Sequence, residues 1–153
     1  MSKYKSSPTV APWNPLWIVV WSFIFSPVFG SALQKKNYQI MNEWQEVQHT
    51  SFWSTAGLIL FFGYLFAEPF LPQTNLSEFY FLSIWIVFYV LWTLTQGIRH
   101  IRIVKDRYGT AYHHKLWAKP IMFGVMGLTM WVVLSLTYII ALVLAGILQI
   151  PPQ

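Results

Sequence analysis

Glu46 and His49 stand three residues apart in an E-x-x-H pair, which on a helix projects a carboxylate and an imidazole from one side. Such pairs build carboxylate-bridged two-metal centres when two helices each supply one. This chain holds a single pair, so a second helix would have to offer His100 or the adjacent His113 and His114. The plainer reading of Glu46, His49, His100, His113 and His114, as polar residues on solvated helices beside a membrane, outweighs the metal one. No cofactor is expected. No histidine lies inside a long apolar run, which removes the usual axial ligand of a membrane-buried haem. There is no glycine-rich phosphate loop, and nothing marks a nucleophile, base and orienting group. With no cysteine, disulfides, thiolate metal sites and cysteine nucleophiles are excluded.

The elements that must position these groups are read from the charge. Three apolar runs, 52–71, 79–98 and 121–150, carry one strongly ionisable residue, Glu68, while lysine and arginine gather at 35–36 and from Arg99 to Lys119. Runs of about 20 apolar residues are long enough to cross about 30 Å of hydrocarbon as helices. Basic residues beside such runs mark the cytoplasmic side. The expected fold is an all-α membrane protein with three transmembrane helices plus an N-terminal, proline-broken segment, 14–33, that is either re-entrant or a fourth span. Hydrophobic residues make up 56% of the chain and charged ones 10%, leaving no room for a separate soluble domain in 153 residues. The net charge of +5 is explained by orientation and anionic headgroups, so nucleic acid is not expected as a partner.

Asn14 reads as an N-cap with Pro15 at the first helical position. Pro27 interrupts the run that follows, and Gly30 loosens it further. Lys3, Lys5 and the apolar stretch imitate a signal peptide, but Pro27 breaks its apolar core, so the segment is expected to be retained. A spanning first helix would leave Lys3 and Lys5 outside, whereas a re-entrant one puts all 10 basic residues inside. That count favours re-entry and leaves a kinked span open.

Residues 34–50 are expected in the cytoplasm, with a helix capped by Asn42 and Gln45, Trp44 and Val47 on the interface, and Glu43, Glu46 and His49 on the wetter side. Glu68-Pro69 should end the next span near the outer interface, and Asn75 or Ser77 should cap the third. That helix should run on into a basic cytoplasmic arm, 99–120, with Ile98, Ile101, Val104 and Tyr108 on one stripe and Gly109 as its stop. Thr110–Trp117 is expected to form interfacial turns, and Lys119-Pro120 to start the last helix. Trp13, Trp17, Trp44, Trp53, Trp92 and Trp117 are expected as belt anchors at span ends. Gly124 with Gly127, and Ala141 with Ala145, would permit close helix approach.

Two segments carry a resemblance. The first contains Asn14, Pro15, Trp21, Ser22, Phe25, Ser26, Pro27, Phe29, Gly30, Ser31, Asn37 and Tyr38. The second contains Gln96, Val104, Lys105, Tyr108, Gly109, Tyr112, Trp117 and Pro120. Together they resemble the signature of a family of small bacterial inner-membrane proteins without an assigned activity. The resemblance implies that architecture and location. Since both segments bracket one membrane face, the N-terminal motif is expected to pack against the arm, with Gly30 admitting Tyr112 or Trp117. The leading functional reading is an accessory, assembly or immunity-type membrane protein acting through a membrane-protein partner or a second copy. A small oligomeric transporter or channel comes second, and a membrane metalloenzyme using the cytosolic His and Glu residues third.

Overall fold

The computed structural model describes residues 11–71, 75–109 and 112–148, with side chains of 75–78 excepted. Among these there is no strand. Helices α1 (Pro15–Phe25) and α2 (Pro27–Met41) are followed by α3 (Trp44–Ala67), which tightens into a 3-10 turn over Glu68–Phe70. Helix α4 (Asn75–Trp92) passes through a π-helical turn, Thr93–Gly97, into α5 (Ile98–Tyr108), and α6 (Ala118–Leu144) closes the bundle. Among the described residues, three stretches are long and apolar enough to cross a membrane: Trp44–Phe70, Phe79–Tyr108 and Ala118–Leu144.

The N-terminal segment is a hairpin. Asn14 caps α1 by accepting from the Leu16 N–H at 3.0 Å, and Pro15 takes the first helical position. At the other end Ser26 adopts φ 138°, ψ 160°, a region of positive φ that L-residues rarely occupy, and the chain reverses there. Pro27, lacking an N–H, then begins α2, and the Ser26 hydroxyl accepts from the Phe29 N–H at 3.3 Å. The two helices fold back on each other: Trp13 bonds Asn37, Ile18 packs with Leu33, and Gly30 lies against Ser22. A continuous helix would hold Trp13 and Asn37, 24 residues apart, about 36 Å from one another. The kinked single span is therefore replaced by two antiparallel half-helices. At about 1.5 Å per residue, the 11 residues of α1 reach roughly half of a ~30 Å hydrocarbon core.

Helix α3 begins differently from the sequence expectation. Asn42 is not an N-cap; it ends α2 in the left-handed region, φ 59°, ψ 33°. The Asn42 N–H donates to the Gln39 carbonyl and the Glu43 N–H to the Tyr38 carbonyl, closing a Schellman motif. Asparagine tolerates that conformation better than most L-residues do, so a residue suited to start a helix here stops one. Glu43 takes the cap position of α3 without a side-chain bond.

Glu68-Pro69 ends α3 as expected. Neither Asn75 nor Ser77 is the expected cap of the third span, since α4 already includes both; the link 72–74 is outside the described residues. Gly109, at φ 73°, stops α5. Of the interfacial turns expected over Thr110–Trp117, residues 112–116 carry no helical turn, and Thr110 and Ala111 are outside the described residues.

Candidate functional site: a buried polar seam beneath the arm

The arm and the N-terminal hairpin are brought together at Asn37. Its amide orientation is fixed by Trp13: the Trp13 N–H donates to Oδ1 at 2.9 Å, and Nδ2 donates to the Trp13 carbonyl at 2.9 Å. The same Nδ2 lies 3.2 Å from His100 Nε2. With Nδ2 a donor, Nε2 accepts and the ring proton sits on Nδ1. Asn37 and His100 are both fully buried. Around this junction the Trp13 indole N–H donates to the Leu116 carbonyl at 3.2 Å, Asn14 Nδ2 lies 3.3 Å from His114 Nε2, and the Lys115 N–H donates to the Pro12 carbonyl at 3.4 Å. The Lys115 ammonium sits 4.5 Å from the Trp13 ring centroid, where burial and the nearby Lys36 lower its pKa.

The other motif residues divide between this clamp and the body of the hairpin. Trp21 meets Trp117 with ring centroids 6.4 Å apart, and Pro120 is buried in the first turn of α6. Lys105, Gly109, Tyr112, Asn14, Pro15 and His114 border an open cleft of about 170 Å³ between α1 and α5. Burial and the neighbouring Tyr108 push the Tyr112 phenol up to about 12. Ser22 and Pro27 are buried in the hairpin. Gly30 touches neither Tyr112 nor Trp117. A Cβ there would stand 1.9 Å from Ser22 Oγ and 2.7 Å from the Trp92 ring, so this glycine lets α1, α2 and α4 close on one another. Gly124 similarly admits the Phe25 ring, at 2.8 Å from its would-be Cβ, whereas Gly127 faces nothing within 4 Å.

Below the Asn37–His100 bond runs a seam of buried polar groups that the sequence reading did not single out. Contacts along the helices fix its register. Helices α2 and α4–α5 run side by side in one direction, with Ser31 accepting from the Trp92 indole N–H at 2.8 Å and Asn37 meeting His100 further along. Gln34 therefore lies level with Gln96. Helix α3 runs the other way, placing Glu46 against Arg99 and Gly57 against Phe88, so Thr50 falls at that same level. Gln34 and Thr50 are fully buried and Gln96 nearly so. One turn nearer the arm, Tyr38 packs edge-on against the His100 ring at 4.9 Å. Burial raises the Tyr38 phenol, Glu46 adds to this, and Arg99 opposes it.

Glu46 thus faces inward, 6% exposed, where the wetter side was expected; its partner Arg99 supplies the reason. Trp92 is no belt anchor, being wholly buried. The arm buries His100 and Val104, while Ile98 of the expected stripe is 44% exposed. Six residues apart at 3.6 per turn, Ile98 and Val104 stand about 120° from one another around α5, so burying Val104 turns Ile98 outward. The sequence does place polar residues at helical spacing, Glu46 with Thr50 and Gln96 with His100, but among other polar residues that give them no distinction.

The proposed metal ligands are dispersed. Glu46 pairs with Arg99, His100 with Asn37, and His114 with Asn14, and no group of three or more His, Asp or Glu side chains among the described residues is placed to hold a metal ion. Comparison with protein-family models, curated proteins and solved structures returns no match.

Proposed function

We propose that this chain is a multi-pass protein of a bacterial inner membrane that works by interaction, as an accessory, assembly or immunity-type protein for a membrane partner. The observation that carries this reading is the clamp at Asn37. It joins the start of α1, the end of α2 and the arm into one body, and so holds the charged side chains Arg102 and Lys105 outward on a fixed base. A fixed base lowers the ordering cost of docking. Helix α6, with only 6% of its apolar window buried in the chain, leaves a further surface for lipid, a partner or a second copy.

In this reading 34–50 and 99–120 face the cytoplasm, because eight of the 10 basic residues fall there. The half-length hairpin re-enters on the same side. The chain has no cysteine, so single-cysteine labelling is clean. Labelling from the periplasm at Lys105→Cys overturns the orientation, and labelling at Ser6→Cys from the periplasm alone overturns re-entry.

The interaction itself is tested by site-specific crosslinking from Arg102 in native membranes. A discrete partner that is lost on Lys105→Glu supports it. Crosslinks to lipid alone, together with solute flux in liposomes, would favour the transporter instead. The polar seam favours a transporter, and the ring contacts beyond Trp92, such as Phe61 with Trp131, count against it.

A further inference from the structure

The seam holds more hydrogen-bonding capacity than it uses. Both amide atoms of Gln34, Thr50 Oγ1, Gln96 Oε1, Glu46 Oε2, the Tyr38 hydroxyl and His100 Nδ1 are buried and find no partner among the described residues. An unmade buried hydrogen bond costs the desolvation of its group with nothing in return, and several in adjacent turns would outweigh much of a small protein's stability. Something must meet these groups. The donor set says what: it mixes donors (Gln34 Nε2, His100 Nδ1) with acceptors (Gln34 Oε1, Gln96 Oε1, Glu46 Oε2) and with hydroxyls that serve as either. A bare cation would lie beside the Arg99 guanidinium, and an anion beside the Glu46 carboxylate, which are already paired to each other. A small neutral species that both donates and accepts fits throughout.

We propose that the seam between α2, α3 and the π-helical turn is an internal water site, running from Glu46 and His100 past Gln34, Thr50 and Gln96 and ending at Trp92. Buried waters make about three hydrogen bonds each to groups of this kind. The π-helical turn contributes, since Gln96 lies within it, where the helical backbone is widened. At the far end the Trp92 N–H is spent on Ser31, and the next neighbours are the rings of Phe88 and Trp53. The inference does not depend on which partner the arm binds.

The test compares two ways of generating hydroxyl radicals on the detergent-solubilised protein. X-ray radiolysis makes them from any water, including bound internal water, whereas peroxide photolysis makes them in bulk solvent. Tyr38 and His100, both fully buried, should be oxidised under X-rays and spared by bulk radicals. Exposed His113 should react under both, and buried Phe88 under neither. Protection of Tyr38 and His100 under X-rays means a dry seam, and equal oxidation under both sources means a site open to bulk; either result overturns the proposal. Gln34→Leu with Gln96→Leu should sharply reduce X-ray oxidation at Tyr38. Unchanged oxidation would place the water elsewhere and refute the assignment. If Phe88 also becomes reactive, the variant has loosened, and Gln34→Met replaces it.

Discussion

On the arm side of Trp92, α2, α3 and α5 bury Gln34, Asn37, Thr50 and His100 completely, while beyond it the chain meets itself through Phe61, Tyr64, Phe81, Trp85 and Trp131. The first region is held by directed bonds between distant parts of the sequence, such as Asn37 with His100 and Trp92 with Ser31. The second is held by ring contacts, Phe61 with Trp131 at 3.8 Å and Phe66 edge-on to Tyr138 at 5.4 Å, and turns most of its apolar side chains outward. In lipid the hydrophobic effect gives helices little reason to associate, so dispersion and hydrogen bonds must do it. The arm side has both. The far side has chiefly the former, and its cohesion should tolerate substitution better.

The sharpest way to break that contrast is a pair of glycines. Gly30→Leu forces a side chain into Ser22 and Trp92 and should cost about 3 kcal/mol or more, opening the hairpin. Gly127→Leu, with nothing within 4 Å, should change stability by less than about 0.5 kcal/mol. Unfolding in detergent measures both. Equal costs would mean that the tight arm-side packing is not what holds the bundle.

Next in size is Asn37→Ala, which strips partners from the Trp13 N–H and carbonyl and from His100 Nε2. Loss of these buried bonds should cost about 2–3 kcal/mol. In a double-mutant cycle, His100→Ala should show coupling to Asn37 above about 0.5 kcal/mol. Additive losses would show the two residues acting independently, and the clamp would have no energetic content.

A third comparison sets one hydrogen bond against its outer counterpart. Trp92→Phe deletes the buried donor to Ser31, 2.8 Å away, and should cost about 1–3 kcal/mol with the lost ring area. Tyr138→Phe deletes an exposed bond of 3.5 Å to the Phe66 carbonyl and should cost less than about 0.5 kcal/mol. A larger loss at Tyr138 would reverse the ranking of the two regions.

What the sequence disclosed follows the same division. Local signals were legible where a single residue fixes the backbone: Asn14 and Pro15 at a helix start, Pro27 at the break, Gly109 at the stop of α5. Asn42 misled because asparagine suits both ends of a helix, and the choice fell to the Tyr38 and Gln39 carbonyls. Whether 14–33 crosses or returns is decided by Gly30 closing on Ser22 and Trp92, a contact between segments over 60 residues apart that no periodicity reveals. The pairing of the N-terminal motif with the arm could be inferred because both bracket one charge-marked face. The seam was missed because Gln34, Thr50 and Gln96 each look ordinary on their own helices. Their common level follows from contacts between distant helices, Ser31 with Trp92 and Glu46 with Arg99, which no local pattern discloses.

The smallest effect concerns the rim of the arm, where charge and helix capping are superimposed. Arg107 reaches Glu43 at 3.2 Å and also donates to the Met41 carbonyl at the end of α2. Both members of the ion pair are well exposed, at 41% each, so solvent screens their attraction. Glu43→Gln should therefore cost no more than about 0.5 kcal/mol, and less at high salt. Arg107→Gln removes the carbonyl contact as well, and should cost about 1 kcal/mol more than Glu43→Gln, largely independent of salt. The measurement is unfolding of both variants at low and high ionic strength. If the two lose the same stability and both losses vanish in salt, then Arg107 acts only through its charge. The end of α2 would then rest on the Asn42 turn alone, and the directed bonding of the arm side would stop at Asn37 and His100.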